Sequence, residues 1–211
     1  MPPMAGSSTA DLQVVRSGPV DAGPAFYLDL AVPEAYLAAE RILSLMPVPC
    51  EWIPVVDAEL PGGGWGAWRC AEEREIELSQ FERTAAARGL QTVRWPAELP
   101  FDSSLALRAA TYAKGAGKVV AFSLAAFRQA YAGGRDLSEQ DNVAIVGAAC
   151  EIHPRALLTG AATRGTRTSL ARATALARER GVRSVPAVWV AGEVFHGDAG
   201  LERAATALAG S

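Results

Sequence analysis

The stretch GVRSVPAVWVAGEVFHG, residues 181–197, constrains this chain more than any other. Val185-Pro186 comes directly before the apolar run Ala187, Val188, Trp189, Val190. A proline has no N–H to give to a ladder, so within a sheet it is tolerated at a strand's first residue, at an edge or at a bulge. Ala191-Gly192-Glu193 reads as a hairpin turn with Gly192 available for positive φ, and Val194-Phe195-His196 as the returning strand. From Leu201 the segment LERAATALA has apolar residues at helical spacing and is expected to cover one face of that hairpin.

With 211 residues, 50% of them hydrophobic, the chain can bury a sizeable core as one large or two closely packed domains. A formal net charge of −3 gives no reason to expect nucleic acid or an anionic membrane surface as partner. No apolar run approaches the roughly 20 residues that span a bilayer, and MPPMAGSSTA lacks the charged and apolar regions of a signal peptide, so a cytoplasmic location is expected. Cys50, Cys70 and Cys150 are widely spaced and odd in number, which gives no disulfide framework; they are expected to be buried or half-buried thiols. Neither histidine lies near a second strong ligand, and no metal is expected.

Taken in order, residues 1 to 23 mix Gly, Pro, Ser and Asp without sustained periodicity and read as a mobile or loosely draped extension. Phe26 to Leu30 forms a buried strand bounded by Pro24 and Pro33. Pro33 suits the first turn of a helix over 33 to 46, with Tyr36, Leu37, Ile42 and Leu45 on its apolar face. Glu34 has two readings there: an acid compensating the helix dipole, or a general base beside a cleft if desolvation raises its pKa. Glu51 to Val56 reads as a second strand, with Pro54 hinting at a bulge or an edge. The glycine-rich loop 61 to 68 carries Trp65 and Trp68, either tucked onto the core or forming a lid over an apolar cleft.

From Ala71 to Arg180 the pattern is helical. Helices are expected over Glu72 to Arg88, after Asp102 or Ser103, over Val119 to Tyr131, from Asp136 to Ala149, after His153-Pro154, and from Thr166 to Arg180. In Arg94-Trp95-Pro96, Trp95 reads as a wedge, and Arg94 as either a solvated residue or a bidentate grip on a substrate carboxylate. Asp198 reads as the N-cap of the last helix. The fold expected is α/β: a four-stranded sheet built from the two ends of the chain (24–70 and 166–211) with a helical insertion (71–165) beside it and a small-molecule cleft between them.

The motifs G-V-R-S-V-P and G-E-V-F-H-G, with RWPAELPFDSSLALRA and FRQAYAGGRDLS in the helical region, resemble the DsbA-like thioredoxin-fold family, in particular the group of 2-hydroxychromene-2-carboxylate isomerases and kappa-class glutathione transferases. The resemblance spans about residues 26 to 208 and implies a thioredoxin-like fold, a cis bond at Val185-Pro186, a small-molecule substrate and, as often in relatives, a homodimer. In that group the strand-to-helix junction carries a catalytic serine or a C-P-x-C. Here LDLAVPEAYL places Val32 at the serine or first-cysteine position and Ala35 at the second. Disulfide exchange needs an attacking thiolate and a resolving thiol, and neither position supplies sulfur.

What the resemblance still implies is a glutathione site. Main-chain groups of Val185 beside Pro186 would pair with the peptide of the thiol, and the N–H groups around Pro33, Glu34 and Ala35 would meet its sulfur. Tyr36, Trp65, Trp68, Arg94 and His196 would line the substrate cleft. The family's amine-binding aspartate falls on Ala199 and its arginine on Gly200, so Asp198 could substitute only from one residue earlier. Two functions are therefore expected as alternatives: glutathione-assisted isomerisation of an unsaturated aromatic acid, or a ligand- or partner-binding protein that has lost that chemistry.

Overall fold

The computed structural model describes residues 23–210, so the expected N-terminal extension lies outside the described residues apart from Gly23. A mixed sheet in the order β2-β1-β3-β4 takes two strands from each end of the chain. β1 (Ala25–Leu28) is wholly buried and pairs in parallel with β2 (Glu51–Pro54), Phe26 facing Trp52. On its other side β1 runs antiparallel to β3 (Ala187–Val190), with Phe26 opposite Val188. β3 continues through a two-residue turn into β4 (Glu193–His196). β2 lies at an edge, which accommodates Pro54.

Where the elements stop has local causes. β1 ends at Leu28, two residues earlier than the apolar run suggests, because Asp29 turns the chain beneath its own carboxylate. Ala31 N–H donates to Asp29 Oδ1 (3.0 Å) and Val32 N–H to the Asp29 carbonyl (3.2 Å). The hairpin turn uses positive φ at Ala191 (47°) as well as Gly192 (98°), the type I′ geometry that matches strand twist, so Glu193 pairs with Val190 and belongs to β4.

Between β2 and β3 run α2 (Ala71–Ala87), α3 (Ser104–Gly115), α4 (Val119–Tyr131), α5 (Gln140–Ala149), α6 (Pro154–Ala162) and α7 (Arg164–Glu179), while α1 (Pro33–Leu45) follows β1 and α8 (Gly200–Ala209) closes the chain. Among the described residues this is the α/β, thioredoxin-like arrangement with a helical insertion that the sequence predicts. α8 packs on β3 and β4, α1 on α4 and α8, and α3 and α7 reach β2. Gly89 ends α2 at φ 67°. Asp102 Oδ1 accepts Ser104 N–H at the start of α3, and His153 Nδ1 accepts Arg155 N–H at the start of α6. α5 begins only at Gln140, because the Asp136 side chain accepts Ser138 N–H in a turn of its own.

Insertion and sheet meet at Tyr131. Its ring stacks on Tyr36 (5.8 Å between centroids) and touches Phe81, Trp95, Phe101 and Phe127. Its hydroxyl, fully buried, donates to the Leu30 carbonyl at 3.1 Å, and burial pushes its pKa far up. Cys150 is buried and Cys50 half-buried, burial raising the Cys50 thiol to about 11; Cys70, against expectation, is exposed ahead of α2. No helix among the described residues is long and apolar enough to cross a membrane.

Tyr131→Phe keeps the ring packing but leaves the Leu30 carbonyl without its buried donor. A loss of about 1 kcal/mol is expected in urea unfolding, with the slope against denaturant unchanged.

Candidate functional site

The site grows from two buried carboxylates. Asp29, at the end of β1, accepts Asp57 N–H through Oδ2 (2.9 Å). Asp57, in the short helical turn after β2, accepts Val185 N–H through Oδ1 (2.9 Å) and, through Oδ2, Gly64 N–H (2.7 Å) and Trp65 N–H at a longer 3.4 Å. This single side chain therefore ties the end of β2 both to the glycine-rich loop and to the residue before Pro186. The Val185-Pro186 bond is cis, and the Pro186 carbonyl accepts Gly197 N–H (2.8 Å). The Val185 N–H that the resemblance assigned to a peptide-like ligand is thus donated internally, and Val185 is itself buried. Gly63 lies so close over this turn that a Cβ there would come within 1.8 Å of the Asp57 carbonyl oxygen.

Asp29 carries the strained charge of the pair. Burial raises its pKa to about 6; the N–H groups of Ala31 and Asp57 and a contact with Ser103 counter this, while the neighbouring Asp57 charge adds to it.

At the start of α1, Val32 is buried and offers no side-chain cap. Ala35, expected to present its N–H to a thiol, is fully buried and donates that N–H to the Val32 carbonyl (3.0 Å). The polar group at this helix tip is Glu34. Its Oε1 accepts Asp198 N–H (2.9 Å), which joins the α1 tip to the turn that Pro186 holds through Gly197. Although Glu34 is open to the cleft, surrounding protein desolvates its carboxylate and raises its pKa; the Asp198 N–H and Arg88 counter this, and the charges of Asp198 and Glu77 reinforce it.

Beyond Glu34 opens a cleft of about 470 Å³. Pro33 and Leu37 of α1, Trp65 of the loop, Phe81 of α2 and Trp95 form its apolar walls, and Glu77, Arg88 and Asp198 complete it. Trp65 and Trp68 meet edge to face at 5.1 Å and donate their indole N–H groups to the two oxygens of Glu77, at 2.7 and 2.5 Å. Both tryptophans are therefore anchored to α2, and only Trp65 reaches the cleft.

Other expected cleft residues sit elsewhere. Tyr36 is buried among the rings around Tyr131, where apolar packing outweighs its phenol. Arg94 is exposed, its main-chain N–H donated to the Tyr131 carbonyl. His196 Nε2 accepts Arg183 N–H (2.9 Å), fastening β4 to the segment before Val185; burial, with Arg183 and Arg203 nearby, lowers its pKa. Asp198 is not the helix cap: Arg88 binds both its carboxylate oxygens and Arg41 one, while Ala199 precedes α8 with no side-chain cap. Asp29, Asp57, Glu77 and Arg88 were missed in the sequence. Arg88 lies at the end of its helix pattern, and no spacing rule links Asp57 to a loop and a strand 128 residues further on.

Among the described residues no cluster of metal-ligating side chains occurs. The sequence profile described as DSBA-like thioredoxin domain matches residues 26–209. Among the curated proteins none matches. A solved 2-hydroxychromene-2-carboxylate isomerase superposes with a TM-score of 0.76 at 18% identity, covering 88% of this chain and 94% of its own. A probable DsbA oxidoreductase from Streptomyces coelicolor gives 0.72 at 16% identity (89% and 90%). The cytosolic disulfide reductase DsbM from Pseudomonas aeruginosa, in a structure with GSH, gives 0.56 at 16% identity (82% and 87%).

Asp29 makes stability depend on pH with a definite sign. Its folded pKa of about 6 exceeds its usual 3.8, so the folded state holds the proton more tightly. That contribution is full below pH about 4 and is lost as pH rises through 6. Unfolding free energies of the wild type and Asp29→Asn, measured by urea titration across this range, should diverge against the wild type as pH rises. The expected total is on the order of 3 kcal/mol; a constant difference would contradict the assignment.

Proposed function

Because the chain belongs to the DsbA-like thioredoxin domain family, we propose that it is a small-molecule-binding member that has left thiol chemistry and keeps Glu34 as its reactive group. One observation carries the reading: the tip of α1 presents Val32, Pro33 and Glu34, a single carboxylate and no sulfur or hydroxyl, beside a cleft with aromatic walls. A carboxylate with a raised pKa at such a place is suited to proton transfer. In its ionised form it removes a proton from a bound carbon acid and returns it at another carbon, an isomerisation that is redox-neutral and needs no co-reactant. The internal bond from Val185 N–H to Asp57 and the guanidinium partners of Asp198 support the same reading, since they occupy groups a glutathione would use. Nothing in this chemistry needs an oxidising compartment, which suits the cytoplasmic setting expected from the sequence.

A second reading, glutathione-assisted isomerisation, is favoured by the likeness to the isomerase and to the DsbM structure with GSH. It requires the thiol to bind with the Val185 carbonyl alone and to tolerate Glu34 beside its sulfur, where like charges repel.

Calorimetric titration separates the two. Glutathione is expected to give no saturable heat at millimolar concentration, for the wild type and for Val32→Ser alike. Binding in the micromolar to millimolar range would transfer the proposal to the thiol-assisted reaction. Asp57→Ala leaves the N–H of Val185 and of Gly64 buried without an acceptor, so it should cost about 2–4 kcal/mol in stability without creating a glutathione site.

A further inference from the structure

The cleft contains more negative charge than its own cations balance. Of its carboxylates, Asp198 is held by Arg88 and by Arg41, which also pairs with Glu202. Among the described residues Arg88 is the one lysine or arginine along the cleft wall, and both its terminal nitrogens are committed to Asp198. That leaves Glu34 and Glu77 without an ion partner among the described residues. Glu77 is satisfied by two neutral indole N–H groups. Glu34 has one oxygen on Asp198 N–H and one that accepts from no donor among the described residues. Desolvation is the main cause that raises the Glu34 pKa; the Asp198 N–H and Arg88 oppose it, and the charges of Asp198 and Glu77 add to it.

The walls favour the same class of ligand. Trp65 and Trp95, with Phe81 between them in sequence, line the space, and each indole edge is fixed by donating to a carboxylate: Trp65 to Glu77 and Trp95 to Glu82 at 2.6 Å. An indole whose N–H is given to an anion is electron-rich on its faces, which strengthens attraction for a cation lying against it. An anion entering here would meet Glu34 and Glu77 with no free guanidinium to receive it, and a partly desolvated like-charge contact costs affinity.

We propose that the cleft selects an organic cation, an amine on an apolar or aromatic body, with the body against Trp65, Phe81 and Trp95 and the ammonium in the field of Glu34 and Glu77, without taking the Glu34 oxygen that proton transfer uses. This rests on the cleft being a small-molecule site, and names the charge of its ligand. A cation beside Glu34 also stabilises the ionised carboxylate, so binding and loss of its proton are coupled.

Three probes of like shape and different charge test it: phenethylamine, phenethyl alcohol and hydrocinnamate. Each is titrated by calorimetry and by amide and indole shifts at Asp198, Trp65 and Trp95 in the full chain. Phenethylamine should bind about tenfold or more tighter than hydrocinnamate, with the alcohol between them. Glu34→Gln should remove most of the amine's advantage over the alcohol, and Glu77→Gln less of it, each variant first checked for an unchanged unfolding midpoint. If a variant is unfolded, the three-probe ranking on the wild type decides. Hydrocinnamate binding as tightly as the amine, or an advantage that survives both substitutions, overturns the cation assignment and leaves the small-molecule site in place. No response from any probe at the cleft residues overturns both.

Discussion

The bonds that Asp57 makes are the constraint on which the rest of the site depends. One buried carboxylate accepts N–H groups from the loop at Gly64 and from the strand entrance at Val185, while its own N–H goes to Asp29. An unpaired N–H buried at either place would cost free energy comparable to a lost hydrogen bond. The three segments therefore keep their relative positions only while that carboxylate stays in place. The loop follows, because Gly63 crosses the turn at a distance no side chain could share, and with the loop comes Trp65, one wall of the cleft. The far wall is tied from the other side: Glu77 of α2 takes both loop indoles, and Arg88 at the end of α2 reaches Asp198 before α8.

The tip of α1 carries no sulfur or hydroxyl group. Val32 is buried there, and internal partners occupy Val185 N–H and the Asp198 carboxylate. Glu34 is the residue at that tip with a titratable group facing the open space. Its hydrogen bond to Asp198 N–H holds the helix start against the turn after β4, so the same carboxylate that stabilises the α1 terminus also faces the cleft. The dipole-compensating and reactive readings of Glu34 are compatible: one oxygen serves the fold and the other remains for a ligand.

The order of strands and helices was legible in the sequence because it is written in short-range patterns. Val119 to Tyr131 was read residue for residue, and Pro33 marked the start of α1 through the one role a proline plays well in a helix. Errors fell where a side chain competes with the pattern. Asp29 cut β1 short by bonding to Ala31, Asp136 delayed α5, and Ala191 shared the positive φ that the sequence assigned to Gly192. Of the residues expected at the site, Glu34, Pro33, Trp65 and Asp198 line the cleft, whereas Tyr36, Trp68, Arg94 and His196 lie outside its lining.

The sequence by itself determined the α/β architecture, the absence of a dithiol at the α1 tip and the turn-bounded unit around Pro186, because periodicity, proline placement and missing sulfur are properties of neighbouring residues. Only the tertiary structure decided which polar groups remain free. Asp57 and Val185 lie 128 positions apart, and Arg88 and Asp198 lie 110 apart. Hydrogen bonds and ion pairs form across space with no regard to spacing along the chain, so whether a donor faces a ligand or is already satisfied by the fold is settled only when those segments pack together.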